Sequence, residues 1–292
     1  MKNGELNGEQ FLDCRSEDEV HEEQTLESII IKCIMPELPD IEVFSRNLKA
    51  MYGGKKLLKI KVGNNKNIKD SHKDLSKDLE GQKLKDVYRS GKEMRFLFSN
   101  GTTLGLHLML TGDLIPFQQK TNRKDIKVEF NFEDGNNLML TDRFKNAFIK
   151  LDPEDKKGID ALDRKLNYSY LKKTMDRKAA IKNILLDQDV IRGIGNAYSD
   201  EILWQTRISP FSKANAIPDE KIKELAKTIK KVLKGATNLI YKNYPGLIHG
   251  EIRDFLQIHT KKKDKSPTGK KIKTQKRGML LTYYTDEQVL YE

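Results

Sequence analysis

The spacing of apolar residues changes twice along the chain, from helical to strand-like and back to helical. Four apolar residues at helical spacing predict a first helix: Ile41, Phe44, Leu48 and Met51. Pro39 suits the first turn of that helix, and Gly53-Gly54 ends it. From about residue 55 to 152, short apolar or alternating runs predict β-strands. Beyond Gly158 the i, i+3, i+4 spacing returns and predicts several helices.

Two dipeptides in the β-rich stretch mark its hairpins. Asn100-Gly101 and Asp134-Gly135 each lie between apolar runs, and such dipeptides fit the tight turns that join antiparallel strands. Several short strands at this spacing predict a sandwich or a barrel. A basic stretch, residues 259–278, and a strand-like run after it predict a β-hairpin at the end of the chain.

These elements predict an α+β fold. An N-terminal β-sandwich carries an added N-terminal helix, and a helical domain and a β-hairpin follow it. We place the parts at the following residues: an acidic leader at 1–34, the sandwich domain at 35–155, the helical domain at 156–258 and the hairpin at 259–292.

Charge divides the chain into an acidic leader and a basic body. Residues 1–34 hold three basic and nine acidic side chains, whereas the remaining residues hold 51 basic and 34 acidic ones, a net charge of +17. Such an excess of Lys and Arg suits a polyanion such as nucleic acid, because each contact with a phosphate releases counterions. A lysine-rich surface also keeps a protein in solution, so charge alone leaves nucleic-acid binding open.

The chain lacks the sequence features of secreted and membrane proteins. No apolar run approaches the roughly 18–20 residues of a spanning helix, and the acidic N-terminal stretch does not resemble a signal peptide. We therefore expect a cytoplasmic protein. Its two cysteines, Cys14 and Cys33, both lie in the leader, which excludes a disulfide scaffold or a thiolate zinc site in the body of the chain.

A glycine-rich turn between two predicted helices is a candidate anion site. The first helix ends near Leu186 and the second begins around Asn196, where the sequence is GIGN. Backbone N–H groups at a helix N-terminus bind anions such as phosphate. Glycine before a helix is also common in ordinary turns, so this segment alone is a weak indication.

Two motifs together resemble those of the formamidopyrimidine-DNA glycosylase and endonuclease VIII family. They are MPELPDIE at 35–42 and DQDVIRGIGNAYSDEIL at 187–203, in the family's order, and the resemblance runs from Met35 to the C-terminus. It implies an N-terminal β-sandwich with the first helix, then a helical domain that contains a helix–two-turn–helix motif and a β-hairpin finger. DNA would lie across the cleft between them.

The resemblance implies that Pro36 is the catalytic nucleophile. In the family the initiator methionine is removed, and the secondary amine of the N-terminal proline attacks the sugar C1′ of a damaged nucleotide. Free α-amino groups titrate at about 7.7–8.0, so part of the amine is unprotonated near neutral pH. Inside a chain the proline nitrogen is a tertiary amide without nucleophilicity. With residues 1–34 attached, Pro36 would be only the first residue of a helix, so we expect the leader to be a mis-start or removable.

Three further residues match the family's catalytic and phosphate-binding positions. Glu37 would protonate the opening sugar, although it could also be a first-turn glutamate stabilised by the helix dipole. Lys92, in YRSGKEMRF, matches the lysine that contacts the phosphate flanking the lesion. Asn196, in GIGN, matches the phosphate-binding asparagine.

An enzyme that extrudes a base must also fill the void left in the duplex. Leu110, in LHLMLTGDL, takes the position of the family's apolar wedge, which is usually methionine. His107 in the same segment would contact phosphate, or it is structural. Arg143 and Phe144 are candidates for the other void-filling residues, although the spacing around them differs from the family's.

The finger departs from the zinc-binding members of the family. Four positions where the family has cysteines are occupied by other residues: Lys265, Thr268, Thr285 and Gln288. None of these can replace a thiolate at zinc. The resemblance therefore implies a zinc-free finger, which we expect to be held by packing of Ile272, Tyr283 and Leu290. The arginine that normally enters the minor groove is replaced by Leu280, and Lys276 and Arg277 are the nearest basic candidates.

As a whole, the resemblance implies a monomeric, nucleoid-associated bacterial enzyme of DNA repair. It would excise oxidised bases from damaged double-stranded DNA through a proline Schiff base and cut the strand by β,δ-elimination, without metal or cofactor. Formamidopyrimidine or 8-oxoguanine lesions are favoured, although residues 243–257 are short for the loop that caps oxidised purines. The main alternative is a non-catalytic DNA-binding relative whose leader blocks Pro36. A ribosomal-type RNA binder would leave MPELPDIE unexplained.

Overall fold

The computed structural model describes residues 35–63, 68, 70–119 and 121–292. The predicted acidic leader, residues 1–34, lies outside this part of the chain. In the described residues, no helix combines the length and the apolar character needed to cross a membrane.

The first helix, α1, spans Leu38–Tyr52 and confirms the helix predicted from apolar spacing. Pro39 lies in its first turn, and Gly53 caps its C-terminal end by donating a hydrogen bond to the carbonyl of Lys49. Its apolar face is buried in the sandwich core. Glu37 is the N-cap residue, so Pro36 precedes the helix, and the alternative that Pro36 is the first helical residue is wrong.

Eight strands form two four-stranded antiparallel sheets. The strands are β1 Leu57–Val62, β2 Leu84–Ser90, β3 Glu93–Phe98, β4 Thr103–His107, β5 Gly112–Phe117, β6 Ile126–Phe132, β7 Asn137–Asp142 and β8 Phe148–Leu151. The strand orders are β1-β6-β7-β5 and β2-β3-β4-β8. Phe96 of β3 stacks on Phe130 of β6 across the two sheets, with ring centroids 6.3 Å apart. The sandwich is therefore confirmed, and both Asn100-Gly101 and Asp134-Gly135 lie in hairpin turns.

A short helix, α2 at His72–Leu79, lies within the sandwich domain and was not predicted. Ser71 caps it by accepting a hydrogen bond from the N–H of Asp74, and only Leu75 and Leu79 are buried. Two apolar residues make too short a pattern to distinguish a helix from a loop, because so short a helix depends on tertiary packing for its stability.

The second half of the chain is helical, as predicted. Its α-helices are α3 Tyr168–Thr174, α4 Ile181–Leu186, α5 Asn196–Gln205 and α6 Asp219–Asn243. They surround a second apolar core, which also contains Leu38 of α1. Between α4 and α5, the short strand β10 at Ile191–Arg192 pairs in parallel with β9 at Ile159–Asp160. This pairing fixes the turn-rich segment in front of α5.

The predicted C-terminal hairpin consists of β11 at Lys273–Arg277 and β12 at Leu280–Tyr284. Tyr283 packs with Trp204 and Ile258, and Ile272 lies against them. The expected packing of Leu290 is wrong, because its side chain is 51% exposed. After β12 the backbone runs beside residues 207–213, to which Val289 and Tyr291 are hydrogen-bonded, so this stretch no longer belongs to the hairpin.

Candidate active site

The carboxylate of Glu37 joins the start of α1 to the start of α5. It accepts hydrogen bonds from the backbone N–H groups of Gly195, at 2.7 Å, and Ala197, at 2.8 Å. The side chain is buried, and the positive end of the helix dipole stabilises an anion at this place. The anion held by the GIGN turn is therefore the chain's own Glu37.

Gly195 lies where Glu37 and Lys92 meet. A Cβ atom at this position would lie 2.4 Å from Cδ of Glu37 and 2.6 Å from Nζ of Lys92. Gly193 is equally constrained, because its φ is +104° and a Cβ there would lie 2.5 Å from Cδ1 of Leu38. The two glycines thus allow the two-turn segment to approach the residues that follow Pro36.

Lys92 lies in the turn between β2 and β3, close to Glu37. Burial lowers the pKa of its ammonium group, and the positive charges of Arg253 and Lys156 lower it further, whereas Glu37 opposes them. A partly desolvated cation next to the N-terminal segment is suited to bind an anionic group of a substrate.

Pro36 precedes Glu37 directly and is buried. Its nitrogen forms the peptide bond with Met35 in this chain, so here it is a tertiary amide. The structure therefore brings Glu37, which follows Pro36, together with Lys92 at Gly195, the N-cap residue of α5.

The side chain of Asn196 connects α5 to the hairpin. Its amide nitrogen donates a hydrogen bond of 2.9 Å to the carbonyl oxygen of Leu281 in β12. Its amide oxygen is buried and has no hydrogen-bond partner in the described part of the protein. Asn196 thereby fixes the position of the hairpin relative to the two-turn motif.

His107 ends strand β4 and carries a neutral ring near pH 7. Its Nδ1 accepts a hydrogen bond of 3.0 Å from the N–H of Met109, and its ring stacks on Phe148. Burial lowers its pKa to about 4, and the charges of Lys92 and Lys156 contribute. Because Nδ1 is the acceptor, Nε2 carries the proton and is available as a donor.

The two loops with the candidate void-filling residues are hydrogen-bonded to each other. The hydroxyl of Thr111 donates to the carboxylate of Asp142, which also accepts the N–H of Phe144 at 3.0 Å. Leu110 is 38% exposed and Phe144 is 37% exposed, and Arg143 beside Phe144 is exposed as well. The structure thus brings these three residues to adjacent loops on the surface.

The two basic candidates of the finger are exposed in β11. The guanidinium of Arg277 lies over the ring of Phe211, 4.6 Å from its centroid, and Phe211 in turn contacts Tyr284 edge-on. Lys276 pairs with Leu281 in the hairpin register. Arg277 is therefore partly engaged within the protein, next to the turn where the family's arginine is absent.

A hydrogen-bonded carboxylate occupies the part of the finger where the family has cysteines. Glu287 accepts hydrogen bonds from Thr268, at 2.7 Å, and from Thr285, at 3.1 Å, and it pairs with Arg207 at 2.6 Å. Burial alone would raise the pKa of Glu287. The hydrogen bonds from Thr268 and Thr285, together with one from Trp204, hold this pKa at about 2. Within the described residues, no cluster of three or more His, Cys, Asp or Glu could hold a metal ion.

An ion pair that the sequence does not reveal lies beside the candidate catalytic residue Glu37. Arg253 donates two hydrogen bonds to the carboxylate of Asp40, of 2.9 and 2.7 Å, and Asp40 also accepts the backbone N–H of Glu37. Glu251 lies next to Arg253. Asp40 and Arg253 are 213 positions apart, so the sequence does not show that they meet. Its only signal is the presence of charged residues in the otherwise largely apolar segment 244–258, which links α6 to the finger.

Comparison with known proteins agrees with this geometry. The family model for the formamidopyrimidine-DNA glycosylase N-terminal domain matches residues 35–147, and the model for the H2TH domain of the same enzymes matches residues 158–242. The formamidopyrimidine-DNA glycosylase of Lactobacillus helveticus is 32% identical, covering 88% of this chain and 100% of that protein. The enzyme of Mycoplasma genitalium is 33% identical over 78% of this chain and 86% of its own length.

Solved structures give the same result. The Lactococcus lactis enzyme in complex with DNA that contains an abasic site superimposes with a TM-score of 0.75 and 25% identity, over 86% of this chain and 98% of that one. Its complex with DNA containing an oxidised pyrimidine gives a TM-score of 0.77 and 26% identity over the same shares.

Fold, site and comparisons together define a DNA glycosylase of base-excision repair. The chain belongs to the formamidopyrimidine-DNA glycosylase family, whose members carry both glycosylase and AP-lyase activity. The predictions of family, fold class and enzyme class are therefore confirmed.

Proposed function

We propose that this enzyme excises an oxidised base from damaged double-stranded DNA and cuts the strand at the resulting abasic site, with Pro36 as the nucleophile. The observation that carries the proposal is that the side chains of Glu37 and Lys92 both lie against Gly195. Glu37 directly follows Pro36 in the sequence. The similar Lactococcus lactis enzyme binds DNA containing an abasic site, which supports such a substrate for this chain.

Candidate residues of this chain support the steps of the proposed reaction. The Pro36 nitrogen, once free, forms a bond to C1′ while the bond between C1′ and the base breaks and the base leaves with a proton. The Pro36 nitrogen loses its proton, the C1′–O4′ bond breaks while Glu37 gives a proton to O4′, and an iminium forms at C1′. The iminium makes the C2′ hydrogen acidic, so its loss as a proton expels the 3′ phosphate. A second elimination then releases the 5′ phosphate. Lys92, Lys156 and the Nε2–H of His107 provide positive charge and a donor for a phosphate beside the lesion.

The proposal also concerns which oxidised base the enzyme prefers. We expect formamidopyrimidine or 8-oxoguanine lesions to be preferred over oxidised pyrimidines, which agrees with the activity named for the relatives. The structure of the Lactococcus lactis enzyme has also been solved with DNA containing an oxidised pyrimidine. An activity assay should therefore include both oxidised purines and oxidised pyrimidines.

We also propose that the enzyme acts as a monomer with parts at 35–155, 156–258 and 259–292. Two separate apolar cores support the first boundary. An ion pair connects the parts on either side of it, since Arg89 of β2 donates two hydrogen bonds to Asp160 of β9. One chain then supplies both sides of a cleft for the duplex.

Borohydride trapping on duplex DNA with an abasic site tests the nucleophile. We expect a covalent adduct with protein that begins at Pro36, and none with full-length protein whose leader is shown by mass spectrometry to be intact. Lack of an adduct with either form would overturn the enzymatic proposal. An adduct with intact full-length protein would instead show that the nucleophile is another residue.

The second candidate is a DNA-binding protein without catalysis. It is favoured by the replacement of the finger arginine by Leu280 and by the peptide bond between Met35 and Pro36. The same experiment separates the two, because a non-catalytic relative would bind the duplex without forming an adduct in either form.

A further inference from the structure

The turn that carries Lys92 lies against the segment in front of α5. A Cβ atom at Gly91 would lie 3.2 Å from Cβ of Arg192 and 3.8 Å from the backbone nitrogen of Gly193. Gly91 has a φ of +60°, a conformation that glycine adopts without strain. The same segment continues into the N–H groups that hold the carboxylate of Glu37. The supports of Lys92 and Glu37 therefore touch each other at this place.

The side chain of Arg192 connects three parts of the chain at this contact. Its Nη1 donates a hydrogen bond of 2.6 Å to Oγ of Ser90, the last residue of β2, and lies 2.9 Å from Oδ1 of Asp155. Its Nε donates at 2.7 Å to the carbonyl oxygen of Gly158. Arg192 thus joins the β2–β3 turn, the segment between β8 and β9, and the segment in front of α5.

The contribution of Arg192 is one of position more than of stability. Burial would raise the pKa of Asp155, but the hydrogen bond from Ser90 and the charge of Arg192 hold this pKa below its ordinary value. Asp155 is 55% exposed, and ion pairs with such exposure contribute little to stability. The planar guanidinium nevertheless has donors in fixed directions, so its acceptors are held in one arrangement.

We propose that Arg192 is a positioning residue, which fixes the ammonium group of Lys92 relative to the carboxylate of Glu37. Nζ of Lys92 and Cδ of Glu37 both lie against Gly195, three residues after Arg192. Arg192 holds the turn in front of Lys92 and belongs to the segment that holds Glu37. It therefore determines how far apart these two charged groups lie.

The inference rests on the proposed function for the roles of the two groups. Lys92 binds a phosphate beside the lesion and Glu37 gives a proton to the sugar, so both must be aligned with the same nucleotide. Affinity for DNA is the sum of many phosphate contacts, whereas a displacement of about 1 Å at reacting groups costs on the order of 100-fold in rate. Loss of Arg192 should therefore lower the rate more than the affinity.

Borohydride trapping at an abasic site measures the effect on the rate. The buried residues of both apolar cores belong to 38–256, so protein that begins at Pro36 retains them. In this form we expect Arg192→Met to be trapped about 10-fold more slowly at saturating protein, with less than about a 2-fold change in affinity for a tetrahydrofuran duplex. The loss is below 100-fold because Asp160 still accepts a hydrogen bond from the turn. Arg123→Met, which removes a partly exposed ion pair, is the control and should react normally.

A double-mutant cycle shows whether Arg192 acts through Lys92. In a Lys92→Met background, Arg192→Met should cost no more than about 2-fold, because no ammonium group is left to be positioned. Arg192→Lys, which keeps the charge and one donor group, should recover part of the rate. Losses that multiply in the double variant would show a merely structural role and overturn the inference, and so would an unchanged rate in Arg192→Met.

Competitive labelling of lysines in the full-length protein tests the same contact without catalysis. Labelling with acetic anhydride over a series of pH values, followed by mass spectrometry of peptides, reports the pKa of Lys92, which burial lowers. We expect this pKa to rise towards the ordinary lysine value in Arg192→Met, because the released turn exposes the ammonium group to water. It should stay unchanged in Arg123→Met.

The labelling result also separates the inference from the proposed function. An unchanged pKa of Lys92 in Arg192→Met would overturn the inference, whatever the trapping shows. Failure of the unsubstituted protein to be trapped would overturn the catalytic proposal, and labelling would then decide by itself whether Arg192 positions Lys92.

Discussion

Single residues at the candidate active site are constrained by close contacts between distant segments. Gly195 has no room for a side chain, because Glu37 and Lys92 approach it from two other elements. A glycine that precedes a helix is ordinary in a sequence, and only its surroundings show why this one is required. The sequence likewise does not show the charge of His107, because burial and the nearby Lys92 and Lys156 lower its pKa.

Gly195→Ala is expected to disrupt the active site more than the fold. The new Cβ would lie 2.4 Å from Cδ of Glu37, so the carboxylate and Lys92 must move. A displacement of about 1 Å at reacting groups costs on the order of 100-fold in rate. We expect a comparable loss in the rate of borohydride trapping by protein beginning at Pro36. Gly235→Ala in α6, where a Cβ meets nothing within 4 Å, is the control and should react normally.

His107 is expected to make stability depend on pH in the acidic range. Its pKa is about 4 in the folded protein and about 6.5 in the unfolded chain, so the unfolded state binds more protons between these values. Its neutral state therefore favours folding above pH 6.5, and this contribution is lost as the pH falls towards 4. Urea unfolding at pH 7 and pH 5 measures the effect. His107→Gln should lose less free energy of unfolding between pH 7 and pH 5 than the unsubstituted protein does. An identical loss in the two proteins would contradict the lowered pKa of His107.

At the scale of elements, the hairpin finger is held by side-chain hydrogen bonds and packing. Glu287 receives donors from Thr268, Thr285 and Trp204, and Arg207 pairs with it from the end of α5. On the other side of the finger, Asp200 of α5 accepts the N–H of Tyr283 at 2.9 Å. The finger is thereby attached to α5 by two carboxylates.

Glu287→Gln is expected to loosen the finger by removing the charge to which these donors point. Hydrogen bonds to a charged group contribute more than neutral ones, so we expect a loss of about 1–3 kcal/mol in the free energy of unfolding. Hydrogen exchange should become faster in β11 and β12 first. Asp286→Asn, whose pair with Lys273 is exposed, is the control. Unchanged exchange in Glu287→Gln would mean that packing around Tyr283 suffices.

At the scale of the whole molecule, charge is distributed unevenly between the leader and the rest of the chain. Residues 1–34 carry nine acidic and three basic side chains, and the remainder carries an excess of basic ones. The affinity of a protein for a polyanion depends on its net charge, since each neutralised phosphate releases counterions. Removal of the leader should therefore affect DNA affinity whatever the lesion.

Protein that begins at Pro36 is expected to bind undamaged duplex DNA more tightly than full-length protein does. The difference should decrease at higher salt, because screening weakens repulsion between the acidic leader and the phosphates. Fluorescence anisotropy over about 50 to 200 mM salt measures it. A full-length variant with the leader acids changed to their amides should behave like the shortened form. Equal affinities of the full-length and shortened forms would contradict the repulsion.

The fold was largely predictable because its signals are local. Helical spacing in α1, the Asn100-Gly101 and Asp134-Gly135 turns, and the two family motifs each depend on a few neighbouring residues. Helix α2 was missed because two buried leucines make too short a pattern. Leu290 was assigned to the finger core because the sequence does not show where the chain leaves the hairpin.

Helical spacing, turn dipeptides and family motifs are properties of short segments, so the sequence alone predicted all of the longer helices, the sandwich strands, the family and the catalytic candidates Pro36, Glu37 and Lys92. Only the tertiary structure placed Glu37 on the N–H groups of Gly195 and Ala197, and Arg253 on Asp40. These partners are separated by 158, 160 and 213 positions. Burial and nearby charges, which lower the pKa values of Lys92 and His107, likewise arise only when distant parts of the chain pack together.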